Sequence, residues 1–293
     1  MITARVVPPG FSATRWDAAR RKVVRRAFRE VPFYREQWAA AGRELPDVVP
    51  TPAERLADQA FRLCPLGRPY RPAHEPSLWT GDAAALRAAV RTAGVPARGV
   101  PVLEVRDAML DRLSLGPGGP AYGVLLSAEA DVLDEERRAA LNARAVGLAV
   151  RAGRAVVVGP PDALDHAVAG LRSAAAATLR IGVLARTTPA EAFSAGGPVL
   201  LHDPVLGYYG ARAGTCGVVH LLWRHHHARV VDGALQITDL RRRRPTLCGV
   251  VPAGSAGSAV APCPEHGVPA LVSGLVSVPA AAGSARPPSG RPA

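Results

Sequence analysis

Four residues stand at spacings that suit a metal ion. Cys216 and His220 form C-x3-H, and Cys263 and His266 form C-x2-H. Tetrahedral zinc takes thiolate and imidazole ligands, and two close pairs brought together by the fold make a closed, structural site rather than a catalytic one. Cys248 is an alternative ligand, and the same residues also read as a small buried thiol and a loop histidine. His202-Asp203 invites a catalytic pairing, but no G-x-S-x-G nucleophile accompanies it. Its other reading is a loop after a strand, with Asp203 capping a turn. Tyr208 and Tyr209 follow and can line a pocket or fill a core. Consecutive His225, His226 and His227 alternate faces in a strand and read as surface histidines.

The elements that must position these residues follow from periodicity. From Thr14, apolar residues Trp16, Val23, Val24, Ala27, Phe28 and Val31 recur at helical spacing, with Thr14 as cap and Pro32 as stop. A second short helix carries Tyr34 and Trp38. Residues 82–92 read as a helix, 100–105 as a strand, 106–113 as a short helix, and 114–123 as a Gly/Pro loop. Then come helix 134–152, strand 155–158, a helix opened by Pro161, strand 179–185, a helix at Thr188-Pro189, and strand 198–201. This alternation implies a parallel α/β layer. After His202 the pattern turns antiparallel, with a hairpin at Asp232-Gly233. Residues 1–206 thus read as an α/β core with N-terminal helices, 207–270 as an antiparallel β subdomain with the metal site, and 271–293 as a disordered tail.

Composition narrows the classes. The 293 residues are 48% hydrophobic but only 5% aromatic, so Ala, Val and Leu must fill the core. Net charge is +12, almost all from arginine, since Lys22 is the sole lysine. The basic runs at 20–26 and 241–244 lack interleaved aromatics for base stacking, which argues against nucleic acid and for a solvated basic face. No apolar run reaches membrane-spanning length, and no secretory signal is evident. The four cysteines therefore read as reduced thiols in a cytoplasmic protein.

Ordered segments resemble the phenylacetate–CoA ligase and coenzyme F390 synthetase group of adenylate-forming enzymes. FREVPFYREQW from Phe28 resembles their N-terminal helix, Val-Pro-Phe-Tyr turn and second helix. GPGGPAYG from Gly116 lies where they carry a glycine-rich segment lining the acyl pocket, which makes Gly116, Gly118 and Gly119 pocket candidates with His202, Asp203, Tyr208 and Tyr209. The segments from Arg154 and Leu179 resemble the strands and turns that follow. GYYGARAGTCGVVHL from Gly207 lies at the Y-G-x-T-E and Cys-to-His stretch. ALQITDL from Ala234 resembles the strand ending in Thr-Asp-Leu, and PCPEHG from Pro262 lies where the family has C-x-C-G-R. The resemblance implies an N-terminal adenylate-forming domain, and it places zinc at the matching cysteines and histidines.

The departures concern ATP. The family's Ser/Thr/Gly-rich phosphate loop ending in Gly-Lys has only Thr80 and Gly81 as its remnant. The acid of Y-G-x-T-E, which helps hold Mg²⁺, falls among Tyr209, Gly210, Ala211, Arg212 and Ala213, and an arginine cannot ligate a cation. Asp239 is the remaining candidate for the ribose hydroxyls. The catalytic lysine of a C-terminal lid has no counterpart. ATP and Mg²⁺ handling is therefore expected to be lost. The expected role is an accessory factor in a biosynthetic pathway, binding a small acyl or aryl ligand or a partner protein. An enzyme with altered chemistry in the acyl pocket, an acyl ligase whose lid comes from another chain, and a basic interaction protein are the alternatives.

Overall fold

A computed structural model of the chain describes residues 10–69, 83–96, 99–107, 119–127, 130, 135–175, 178–213 and 216–274. Helix α1 (Ala13–Glu30) starts at Ser12, whose side chain accepts the Arg15 N–H, so the cap sits two residues before the Thr14 expected from sequence. Pro32 opens α2 (Pro32–Ala40). Next come β1 (Thr51–Pro52), a 3₁₀ turn (Ala53–Gln59) and α3 (Ala83–Thr92).

The α/β layer follows as β2 (Val102–Arg106), β3 (Tyr122–Leu126), α4 (Glu135–Ala152), β4 (Arg154–Gly159), α5 (Pro161–Ala175), β5 (Arg180–Thr187), α6 (Pro189–Ser194) and β6 (Val199–Asp203). Thr188 and Glu191 form a reciprocal capping box on α6. The remaining strands are β7 (Gly207–Arg212), β8 (Val219–Leu221), β9 (His226–Val231), β10 (Ala234–Asp239), β11 (Val250–Val251), β12 (Ser258–Pro262) and β13 (Pro269–Ser273).

Nine strands form one sheet in the order β12-β13-β8-β7-β6-β5-β4-β2-β3. Strands β3, β2, β4, β5 and β6 are parallel, and β7, β8, β13 and β12 extend the sheet antiparallel. The sheet thus continues past residue 206 without a break. A second sheet runs β1-β11-β10-β9. Asp232 and Gly233, both at positive φ, turn β9 into β10 as the sequence predicts. The fold is a mixed α/β architecture with a large, mostly parallel sheet and a smaller sheet.

Side-chain alternation splits the core. Val102, Val158, Leu184, Leu200 and Tyr208 pack under α3 on one face. Leu103, Val105, Val157, Leu164 and Leu171 pack with α4 and α5 on the other, and Leu201, Tyr209 and Val219 pack with α1, α2 and the small sheet. Strand β3 begins in the stretch read from sequence as loop, with Tyr122 and Gly123. Its Gly123 lets α4 approach closely, since a Cβ there would stand 3.1 Å from the Ala145 Cβ.

The histidine run is buried, which corrects the surface reading. His225, His226 and His227 are 9%, 1% and 2% exposed. The Trp16 indole N–H donates to the His226 carbonyl at 2.9 Å, and the His227 ring lies 4.2 Å from the Trp16 ring and 2.8 Å from Asp17. The run closes the seam between α1 and β9, which a single-strand pattern does not reveal. Burial lowers the His227 pKa to about 4, against the opposing pull of Asp17. The unfolded chain then binds a proton that the folded chain refuses. Stability is complete above about pH 6.5 and falls as the pH drops towards 4. We expect His227→Gln, which keeps an N–H for Asp17, to lose roughly 1–2 kcal/mol less than the parent between pH 7 and pH 5, read from urea unfolding.

Candidate functional site

Two groupings carry chemistry. The first joins the C-x3-H and C-x2-H pairs. Cys216 precedes β8 and His220 lies on it. Cys263 and His266 sit in the turn from β12 to β13, closed by the Gly267 N–H to the Cys263 carbonyl and the Cys263 N–H to the Val268 carbonyl, each 2.8 Å. Gly267 takes positive φ there. The β13–β8 pairing, Ala270 opposite His220, brings the two pairs together.

The Cys216 Sγ stands 3.9 Å from the Cys263 Sγ, 3.4 Å from His220 Nε2 and 3.9 Å from His266 Nδ1, and the Cys263 Sγ is 3.4 Å from His266 Nδ1. All four ligand atoms lie within 4.8 Å of one another. Tetrahedral zinc with ordinary Zn–S and Zn–N lengths needs S···S edges of about 3.8 Å and S···N edges of about 3.6 Å, so the residues fit the ion. Burial raises the Cys216 thiol pKa and lowers that of His220, where the neighbouring His266 adds to the effect. Neutral imidazoles are the ligating form, and a cation would stabilise the thiolates. Cys248 lies elsewhere, its backbone N–H bonded to the Tyr34 hydroxyl at 2.8 Å.

The second grouping lies on the α3 face, towards the carboxyl ends of parallel strands, where open α/β sheets bind ligands. Glu104 on β2 is fully buried. Its carboxylate accepts from Arg106 at 2.7 Å and from the hydroxyls of Tyr122 and Tyr208, and Arg186 stands 3.7 Å away. Arg186 also donates to the Val105 carbonyl at 2.9 Å. Burial and Glu104 raise the pKa of both tyrosines, so each stays a hydroxyl donor. The His202 ring packs 4.8 Å from that of Tyr208. Burial, with Arg186 and Arg106 nearby, lowers its pKa to about 3 and keeps it neutral. The signal missed in the sequence was one carboxylate inside the apolar strand VPVLEVR.

The remaining sequence candidates take these places. Asp203 Oδ1 accepts the Val205 and Leu206 N–H groups at 2.8 and 3.1 Å and caps the β6–β7 turn. Tyr208 and Tyr209 are both fully buried, on opposite faces of β7. Asp239 Oδ1 accepts the Arg241 and Arg242 N–H groups, each at 2.8 Å. Gly119 precedes β3. Thr80, Gly81, Gly116 and Gly118 lie outside the described residues. Arg212, on β7, donates to the carbonyls of Ala192, Ala195 and Gly197 and so ties down the end of α6.

A separate cavity of about 360 Å³ opens between α4, α5 and the ends of β2 and β3. Val105, Leu125, Leu126 and Leu171 make it apolar, and Ser127 and His166 add polar groups.

No family model matches the sequence, and no curated protein sequence matches it. The fold does have solved counterparts. It is similar to 2-hydroxyisobutyryl-CoA ligase in complex with 2-HIB-AMP and CoA in the thioesterification state, at 14% identity and a TM-score of 0.56, covering 90% of this chain and 68% of that one. The same ligase in the postadenylation state with R3-HIB-AMP gives 14% identity and a TM-score of 0.55, over 93% of this chain and 72% of that one. The likeness is one of fold: the chain shares the architecture of that CoA ligase over most of its own length. Among the described residues, no helix is long and apolar enough to cross a membrane.

Removing one partner from a buried ionic network strands the others. We expect Glu104→Ala to lower the unfolding free energy by about 3–5 kcal/mol, because it leaves Arg106 and Arg186 without their buried counter-charge. Equilibrium urea unfolding, with Glu104→Gln alongside, measures the loss and separates charge from shape.

Proposed function

We propose that the chain is a degenerate adenylate-forming homologue of the phenylacetate–CoA ligase type. It keeps the ligase scaffold and a structural zinc but does not itself join a carboxylate to AMP. It acts as an accessory factor in biosynthesis and binds a small acyl or aryl ligand.

The observation that carries the reading is Arg212. The resemblance puts it in the stretch where the family holds a cation-binding acid. Here the side chain is a cation, and its N–H groups are spent on three main-chain carbonyls at the end of α6. A guanidinium has no lone pair for a metal and would repel Mg²⁺ at contact range. Asp239 points the same way, because its Oδ1 is held by its own loop and its Oδ2 faces Arg242 Nε at 3.5 Å. The mostly apolar cavity beside α5, with few polar groups, suits an acyl or aryl body. Fold likeness alone carries no activity.

Incubated with ATP, Mg²⁺ and a panel of acyl and aryl carboxylates, the purified chain should release no pyrophosphate above the no-protein rate. Carboxylate-dependent release that tracks the protein through purification overturns the reading.

The zinc assignment rests on Cys216, His220, Cys263 and His266. A tetrahedral ion there would tether the β12–β13 hairpin to β8, with no open position for chemistry. Protein purified without chelator should carry stoichiometric zinc by mass spectrometry, and chelation should lower its melting temperature. A Cys216→Ser/Cys263→Ser double variant that keeps its full zinc complement would refute this ligand set.

A further inference from the structure

The run Arg241–Arg244 reads in the sequence as an undivided basic patch, but its members have different tasks. Arg241 Nε donates to the Arg224 carbonyl, and Arg242 reaches Asp239 and the carbonyls of Val205 and Leu206. Arg243 has no side-chain acceptor among the described residues. It faces a recess of about 320 Å³ that it shares with Arg26 and Arg29 of α1 and Arg68 of the loop after the 3₁₀ turn.

The recess is unusual in its charge. Among the described residues, four guanidinium groups line it against one carboxylate, Glu30, which is paired with Arg29 at 2.8 Å. Arg26 Nε and Nη2 are buried with no hydrogen-bond acceptor among the described residues. A desolvated guanidinium without an acceptor is costly, and such groups call for a specific explanation such as a bound ion. Gathering several like charges round one cavity adds to that cost.

The walls are held in place. The Leu66 N–H donates to the Glu30 carbonyl at 2.9 Å, which closes the loop carrying Arg68 onto the end of α1. The Thr246 hydroxyl donates to the Arg243 carbonyl at 2.9 Å, and the Thr246 N–H to the Leu63 carbonyl at 2.8 Å. The loop carrying Arg68 is thus pinned to the end of α1, and the loop carrying Arg243 to Leu63, just ahead of the Arg68 loop, before any ligand arrives.

We propose that this recess binds the phosphate or diphosphate group of a small molecule. Guanidinium forks match phosphate oxygens in pairs, and a multiply charged anion would satisfy several forks together. The volume suits a phosphate or diphosphate with part of its ester. Among the described residues no aromatic lines the recess to stack a base, and a single pocket does not track a polynucleotide backbone. The site is separate from the Cys/His cluster and from the Glu104 network, and it does not depend on whether the chain has ligase activity.

Calorimetry with inorganic pyrophosphate at constant ionic strength tests the proposal. The parent should bind with a heat that sodium chloride does not reproduce. Arg68→Ala and Arg243→Ala, both on surface loops, should each weaken binding by about tenfold or more. Arg26→Gln should do the same while circular dichroism reports an intact fold. Arg21→Ala, on another side of α1, should leave affinity unchanged. Equal affinity in all variants, or an effect matched by sodium chloride, would reduce the recess to general screening and sink the proposal. Tighter binding of a short single-stranded DNA, weakened equally by Arg21→Ala, would reassign the charge to a nucleic-acid face.

Discussion

The large sheet depends on holding one carboxyl group out of contact with water. Glu104 is fully buried in the middle of β2, and a lone carboxylate there would be expelled or neutralised. It persists because four groups converge on it from four strands: Arg106 on β2, Tyr122 on β3, Arg186 on β5 and Tyr208 on β7. All lie on the face that period-two alternation assigns to α3. A one-residue slip in any of these strands would turn its partner to the other face and leave the charge uncompensated. The network therefore fixes register across the parallel-to-antiparallel junction. A well-packed apolar set could be equally stable, so its contribution is to specificity as much as to stability.

Under the proposed function, the same economy of charge lets a scaffold of this fold stand without nucleotide chemistry. Arg212 closes the end of α6 with hydrogen bonds to three carbonyls, a task that needs several N–H donors on one side chain. A carboxylate at that position could not make those bonds and would face carbonyl dipoles of its own sign. The position is thus satisfied structurally by the kind of group that excludes a divalent ion. Asp239 shows a parallel commitment, since two backbone N–H groups of the arginine loop occupy one of its oxygens.

Much of the fold was legible because its punctuation is strong. Pro32, Pro161 and Pro189 each open a helix, and Asp232-Gly233 turns a hairpin, so element order and type follow from local chemistry. Strand β3 was not legible. Its Tyr122-Gly123 start reads as loop, and only the approach of α4 shows why a small residue is needed there. The histidine run misled for a related reason: its burial comes from α1, some two hundred positions earlier in the chain. The Cys/His set was legible because both pairs are local in sequence. The Glu104 network was only half legible. An acid inside an apolar strand is a visible oddity, but its partners lie on strands whose neighbours the sequence does not name.

The placement of the Cys/His cluster follows from the weakness of the join beneath it. Strand β8 spans only Val219–Leu221, and it meets β13 through the pairs His220–Ala270 and Val219–Leu271. Beyond that join the β12–β13 hairpin is the edge of the sheet; Leu271 and Val260 pack it against the main core, while the apolar cluster at its turn is small: Cys216, Cys263, Val268 and Ala270. So short a ladder, with so small a cluster at the turn, holds that end of the hairpin poorly against its conformational entropy. A cross-link between the start of β8 and the hairpin turn offsets this where it is weakest, because it shortens the loop that folding must otherwise close. An ion bound by two residues from each side would be such a cross-link, and its binding energy would appear as folding energy of the sheet edge. The charge network at one end of the sheet and the ligand set at the other thus answer the same problem, fixing strands whose apolar contacts alone do not specify where they belong.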